Sequence, residues 1–177
     1  MHANHWMTGG AVLVCGLATY WDLRERRIPN ALTLPSLGLA LCLHGATQGG
    51  QGLLVSALGA VVAGAMLLPG YFLRATGAGD VKLLMAVGAF LGFPTALLAG
   101  LLSLVVGGIC GIGFALFHKR IGAVLAKSLG LARWMAMKAA GAPLERPGTS
   151  GLKFPFGVAI ALATAWIAWG PPLGGIR

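Results

Sequence analysis

The stretch Gly77-Ala78-Gly79-Asp80-Val81-Lys82-Leu83 and the apolar run after it decide the fold. From residue 83 to residue 117 there is no acidic or basic side chain, while Lys82 and Lys119 flank the run. Because flanking lysines favour the cytoplasmic side of a membrane, we expect the run to cross and return as a hairpin. The expected turn is Gly92-Phe93-Pro94, and a turn nearer Gly107-Gly108 remains open.

The composition indicates an integral membrane protein. Of the 177 residues, 57% are apolar and only 10% are charged, which lies far outside the range of soluble domains. The apolar runs are long and do not alternate with polar residues, so they favour helices over a β-barrel. We therefore predict an all-α, polytopic fold in a single transmembrane domain, 1–177.

The distribution of charge predicts the topology. Although the formal charge is +9, twelve of the 13 Lys and Arg residues fall in three clusters between apolar runs, and Arg177 is the exception. Such clustering follows the positive-inside rule and argues against a nucleic-acid partner. The three cysteines lie in apolar runs and the four histidines are scattered, so neither a disulfide framework nor a metal site is expected.

Six transmembrane helices with both termini outside satisfy this charge pattern. The predicted spans are about 6–21, 31–46, 53–73, 83–92, 95–117 and 154–169. The fourth, at about 15 Å, is short for a hydrocarbon core of about 30 Å, which implies a thinned bilayer or water reaching inward near Asp80. Residues 119–139 place basic and apolar side chains on opposite faces, which predicts an interfacial amphipathic helix on anionic lipid, with a solvated loop as the alternative.

Two aspartates carry the candidate chemistry. Asp22 and Asp80 are the only aspartates among four acidic residues, and they lie 58 positions apart at the predicted cytoplasmic surface. Each also has basic neighbours and could serve as an anchor or salt-bridge partner. A close carboxyl pair holds one proton between them, so it can activate a water for attack on a carbonyl. Gly77 and Gly79 would let a peptide lie close to the backbone beside Asp80.

Three stretches together resemble the type IV prepilin peptidases, membrane aspartyl proteases of the G-x-G-D class. They are Asp22 followed by Ile28-Pro29-Asn30, the stretch from Gly77 to Leu83, and Pro155-Phe156-Gly157. The resemblance implies that Asp22 and Asp80 are catalytic and that no metal or other cofactor is needed. Besides the two aspartates, the residues that match the family's motifs are Gly77, Gly79, Lys82, Pro29, Asn30, Pro155 and Gly157.

The resemblance implies removal of the leader peptide from prepilins or pseudopilins at the cytoplasmic face of a prokaryotic inner membrane. Larger members carry a cysteine-rich insertion and methylate the new N-terminus. This chain has no such insertion after its first span and is similar to the compact members of Flp or tight-adherence systems, so methyltransferase activity is not expected. A non-catalytic pilus assembly factor and a small proton-coupled transporter are the alternative functions.

Overall fold

The computed structural model describes residues 5–25, 28–72, 76–117 and 156–170, together with residues 122, 129, 130 and 133. Most of the predicted interfacial helix, 119–139, lies outside these residues. The described part of the chain contains helices and no strand. Its helices are α1 (His5–Glu25), α2 (Asn30–Phe72), α3 (Ala78–Leu91), α4 (Thr95–Phe117) and α5 (Phe156–Trp169).

Helix α2 reverses direction at Gly49. This residue has φ 64° and ψ −149°, a conformation that glycine adopts far more readily than residues with a Cβ. Before the break, Asn30 contacts Lys82 and His44 contacts Phe90, so residues 30–48 run parallel to α3. After it, Ser56 contacts Ala89 and Gly70 contacts Thr76, so residues 50–72 run antiparallel to α3. The long α2 is therefore a helical hairpin, and its two segments are called the first and second arms of α2.

Helix α3 is the centre of the bundle. Nearly all its side chains from Val81 to Leu91 are buried, and it packs against α1, α2 and α5. Glycines allow the closest approach: a Cβ on Gly88 would overlap the carbonyl oxygen of Gly59 and the Cβ of Ala63. At about 21 Å, this helix of 14 residues is shorter than a bilayer core of about 30 Å.

The buried end of α3 is capped by both arms of α2. Pro94 has no N–H to offer the Phe90 carbonyl, and that carbonyl instead accepts from Nε2 of His44 at 3.0 Å. The Phe93 N–H donates to the Val55 carbonyl, and Ser56 Oγ donates to the Ala89 carbonyl at 2.8 Å. Polar side chains on the apolar α2 thus satisfy carbonyls that α3 cannot satisfy itself.

Helices α1 and α5 complete the packing around α3. The ring of Phe90, at the end of α3, lies against Gly10 near the start of α1, and Asp22 in the last turn of α1 interacts with Asp80 at the start of α3. Helix α1 therefore runs antiparallel to α3. Cys15 contacts Thr164, and Thr19 contacts Gly157 further along α1, so α5 is antiparallel to α1. The starts of α2, α3 and α5 therefore lie at the same end of the bundle as the end of α1.

The fifth predicted span corresponds to a helix of the structure, whereas the fourth differs at its start. Helix α4 occupies the fifth predicted span, and Gly92-Phe93-Pro94 forms the turn before it. The fourth span was predicted to begin at residue 83, whereas α3 begins at Ala78 and includes Asp80. Two described helices, Asn30–Phe72 and Thr95–Gly113, are long and apolar enough to cross a membrane, and Phe156–Trp169 is a shorter apolar helix.

The chain divides into two compact units, Met1–Gly107 with Pro155–Arg177, and Gly108–Phe154. The bundle around α3 belongs to the first unit. In the second unit, the described residues are the end of α4 and positions 122, 129, 130 and 133, of which Leu129 is largely exposed.

Candidate active site

Asp22 lies in the last turn of α1 and is buried, with only 8% of its surface exposed. Its carboxyl group occupies space left free by a glycine in α5. A Cβ at Gly157 would stand 3.1 Å from Oδ2 of Asp22, closer than an ordinary van der Waals contact. Three residues earlier on α1, Thr19 Oγ1 donates a long hydrogen bond of 3.5 Å to the Gly157 carbonyl. The position of the Asp22 side chain therefore depends on the start of α5.

Asp80 is the third residue of α3, ahead of the uncharged part of that helix. Its Oδ2 accepts a hydrogen bond of 2.9 Å from the backbone N–H of Gly77, the residue that precedes the helix. A carboxylate in the first turn satisfies a free N–H and interacts favourably with the helix dipole. This bond explains why α3 begins at Ala78, despite the two nearby glycines that suggest a loop.

The two aspartates interact electrostatically. The pKa of the Asp80 carboxyl is raised from 3.8 to about 6, chiefly because burial disfavours the charged form. The Gly77 N–H lowers this pKa, and the negative charge of Asp22 raises it further. Burial and the neighbouring acid thus outweigh the stabilising N–H. The carboxyl groups are close enough for the ionisation of one to affect the other.

The segment between α1 and α2 packs beside Asp80. A Cβ on Gly79 would lie 3.1 Å from the Cβ of Ile28, so the segment and the start of α3 are in close contact. The Pro29 carbonyl accepts the first backbone hydrogen bonds of α2, from residues 32 and 33. Lys82 Nζ then donates to Oδ1 of Asn30 at 2.9 Å.

The structure gathers the residues of the three sequence stretches at one end of the bundle. The first stretch contributes Asp22, Pro29 and Asn30, and Gly157 comes from the third. The second contributes Gly77, Gly79, Asp80 and Lys82. Pro155 lies outside the described residues. Sequence reasoning overlooked Thr19, although its spacing of three residues from Asp22 places both on one helix face.

The last turn of α1 also carries a basic residue, Arg24, two positions after Asp22. Arg24 donates a hydrogen bond of 2.9 Å to the Tyr20 hydroxyl, one turn earlier on α1. Within the described ranges, there is no group of three or more His, Cys, Asp and Glu side chains that could hold a metal ion.

A helical membrane protein with two interacting acids at one end of its bundle is the class that this fold and site define. The chain belongs to the type IV leader peptidase family, whose model matches residues 10–112. The matched segment contains both aspartates and ends before Gly157.

Individual relatives agree with this assignment. The chain is 32% identical over 146 residues to the "Prepilin leader peptidase/N-methyltransferase" of Aeromonas salmonicida strain A449, and equally similar to a protein of that name from Aeromonas salmonicida. The matched region is 75% of this chain and 50% of each relative, so the chain spans about half the length of the curated relatives it matches. No solved structure matches the chain.

Proposed function

We propose that this chain is an aspartyl endopeptidase that removes the leader peptide from type IV prepilins or pseudopilins. The observation that carries the proposal is the position of Asp22 and Asp80 at one end of the bundle, two buried or half-buried acids within the segment matched by the family. A buried pair with one raised pKa is suited to acid and base roles at near-neutral pH.

In the proposed reaction, the two carboxyl groups share one proton and titrate as a unit. Asp80 holds the proton, in keeping with its raised pKa, and Asp22 is ionised. Asp22 removes a proton from a water molecule, whose oxygen attacks the scissile carbonyl carbon while Asp80 donates its proton to the carbonyl oxygen. When the resulting tetrahedral intermediate collapses, the C–N bond breaks and the proton held by Asp22 passes to the leaving amine. A hydroxyl group of the intermediate returns its proton to Asp80 as the carbonyl forms again.

The proposed location is the cytoplasmic face of a prokaryotic inner membrane. Within the described part of the first unit, every Asp, Glu, Lys and Arg side chain lies at the end of the bundle that holds the site: Asp22, Arg24, Glu25, Asp80 and Lys82. By the positive-inside rule, the basic residues favour the cytoplasm for this end. A prepilin would enter as a membrane helix with its basic leader inside, which brings the scissile bond to the depth of the acids.

The proposed activity is peptidase only. The curated relatives are named as methyltransferases as well, and the larger members that the chain resembles carry a cysteine-rich insertion after the first span. Only residues 26–29 separate α1 from α2, and this segment contains no cysteine. Mass spectrometry of the processed pilin tests this point: we expect a free α-amino group when S-adenosylmethionine is supplied, and a methylated N-terminus would contradict it.

Coexpression with a cognate prepilin tests the peptidase. Asp22→Asn and Asp80→Asn should each abolish the mobility shift that marks leader removal, while the variant still accumulates in the membrane. Glu25→Gln is the matched control, because Glu25 is an exposed acid in the same last turn of α1, and it should process normally. Full processing by either Asn variant would refute the peptidase assignment. Flux that depends on Asp80 without cleavage would favour the transporter, and pilin binding without cleavage would favour an assembly factor.

A further inference from the structure

Two contacts between residues 28–30 and the start of α3 bracket Asp80. On one side, Ile28 packs against Gly79, the residue before Asp80. On the other, Asn30 accepts the hydrogen bond from Lys82, two residues after Asp80. The three residues 28–30 therefore hold the first turn of α3 at two points, and we call this pair of contacts the clamp.

The clamp also connects Asp80 to the helix that carries Asp22. Helix α1 ends at Glu25, and only four residues separate it from α2. The clamp residues Ile28 and Asn30 lie six and eight positions after Asp22. A connecting segment this short limits how far α3 can move from the end of α1, provided that the segment is also attached to α3. The clamp attaches it to the first turn of α3.

The Lys82 side chain acts through its hydrogen bond. Residues two apart on a helix point to different faces, and the Lys82 ammonium is directed to the Asn30 amide oxygen at 2.9 Å. Burial and the charge of Asp22 raise the pKa of Asp80, and the Gly77 N–H lowers it. Removing the hydrogen bond should therefore change the position of the first turn of α3 more than the charge around Asp80.

We propose that the clamp sets the distance between the two carboxyl groups, so that Lys82 and Asn30 are positioning residues for the reaction. The inference rests on the proposed function. A small displacement of a reacting group lowers the rate of the chemical step strongly, whereas substrate binding elsewhere on the bundle is unaffected. The loss should consequently appear in kcat, with KM nearly constant.

The test measures kcat and KM of purified variants in detergent, with a cognate prepilin as substrate. Lys82→Met keeps the length of the side chain without the donor, and Asn30→Leu removes the acceptor. Each variant should lower kcat roughly tenfold, with KM within about twofold of the unmodified protein. A tenfold loss corresponds to about 1.4 kcal/mol, which is the size expected for one charge-assisted hydrogen bond. The double variant should be no slower than either single variant, because both remove the same bond.

Two control variants and a pH profile separate positioning from loss of charge or fold. Asn30→Asp keeps an acceptor for Lys82 and should retain activity. Arg24→Met removes a cation from the same end of the bundle and should leave kcat unchanged. The pH profile of kcat should shift in Lys82→Met, since the interaction between the carboxyl groups depends on their distance, and a merely structural role would not move it.

Some outcomes overturn the clamp and others overturn the peptidase. Unchanged kcat in Lys82→Met and Asn30→Leu, or losses that multiply in the double variant, would contradict the clamp while leaving the peptidase intact. Gly79→Ala gives a second test, because its Cβ would press on Ile28 and should also lower kcat. Cleavage that survives in Asp22→Asn or Asp80→Asn would instead remove the proposed function itself.

Discussion

At the level of single residues, the charged form of Asp80 is subject to opposing electrostatic effects. A carboxylate at the start of a helix is stabilised by free N–H groups, and Asp80 does accept one from Gly77. Burial and the charge of Asp22 oppose this and prevail, since the pKa is raised to about 6. The site therefore holds an acid in surroundings that disfavour its charge, at a cost in stability that has a direct test.

Replacing Asp80 by Asn should stabilise the fold at neutral pH. Because native Asp80 has a pKa of about 6 against an ordinary value of 3.8, the folded state binds its proton more tightly than the unfolded state. The free energy of unfolding of the unmodified protein therefore falls as pH rises from about 4 to 6, by an amount on the order of 2 to 3 kcal/mol. Asp80→Asn escapes this loss and can still accept from Gly77.

Unfolding in detergent at pH 4 and at pH 7.5 measures the effect. The advantage of Asp80→Asn over the unmodified protein should be largest above pH 6 and should shrink as the pH approaches 4. A difference in stability that is the same at both pH values would show that Asp80 does not have the raised pKa on which the proposed proton sharing depends.

Gly157→Ala should impair catalysis without unfolding the protein. Alanine in place of glycine normally stabilises a helix by about 0.5 to 1 kcal/mol. Here the new Cβ would lie 3.1 Å from Oδ2 of Asp22, so the carboxyl group must shift. We expect at least a tenfold loss of kcat at an unchanged melting temperature. Gly16→Ala is the matched control, because a Cβ there meets nothing within 4 Å, and equal activity of both variants would exclude this role for Gly157.

Sequence reasoning could propose these residues but could not establish their contacts. The scarcity of acids singled out Asp22 and Asp80, and their catalytic roles stay a prediction. That Gly157 makes room for Asp22, and that Asn30 accepts from Lys82, depends on helix packing between segments far apart in sequence. Periodicity and charge counting contain no information on such pairings.

At the level of helices, one end of α3 could be predicted from the sequence and the other could not. Its end could be predicted, because glycine and proline at positions 92 and 94 stop a helix. Its start could not, since Gly77 and Gly79 look like loop residues, and the bond from Gly77 to Asp80 is visible only in three dimensions. The capping roles of His44 and Ser56 were also missed, although Pro94 signals that the Phe90 carbonyl needs another donor.

Ser56→Ala should destabilise the bundle. It leaves the Ala89 carbonyl without its donor in a fully buried position, which costs about 1 to 3 kcal/mol. Thermal or denaturant unfolding in detergent would measure the loss. Thr47→Ala is the control, since Thr47 is exposed and donates only within its own helix. Equal stability of the two variants would contradict the capping role of Ser56.

On the scale of the whole molecule, the described charges of the first unit are confined to one end. The opposite end carries Gly49 and the turn at Gly92-Phe93-Pro94 and has no charged side chain among its described residues. Composition and charge clustering predicted a helical membrane protein, which the fold and the family agree with. Six spans and the orientation stay predictions.

Cysteine labelling in intact cells tests that orientation. In a background without Cys15, Cys42 and Cys110, Gln51→Cys should react with a membrane-impermeant maleimide from outside, because residue 51 is exposed at the uncharged end. Glu25→Cys, exposed beside the acids, should react only after the membrane is permeabilised. Labelling of Glu25→Cys in intact cells would invert the proposed topology.

The contact between Asp22 and Gly157 also determines when the site is completed during synthesis. The two residues are 135 positions apart, so Asp22 and Asp80 leave the ribosome and enter the bilayer well before α5 exists. Until then, Asp22 lacks its contact with Gly157. We expect a nascent chain, or one ended by a premature stop codon before α5, to be inserted yet inert, so that hydrolytic capacity arises only as synthesis finishes.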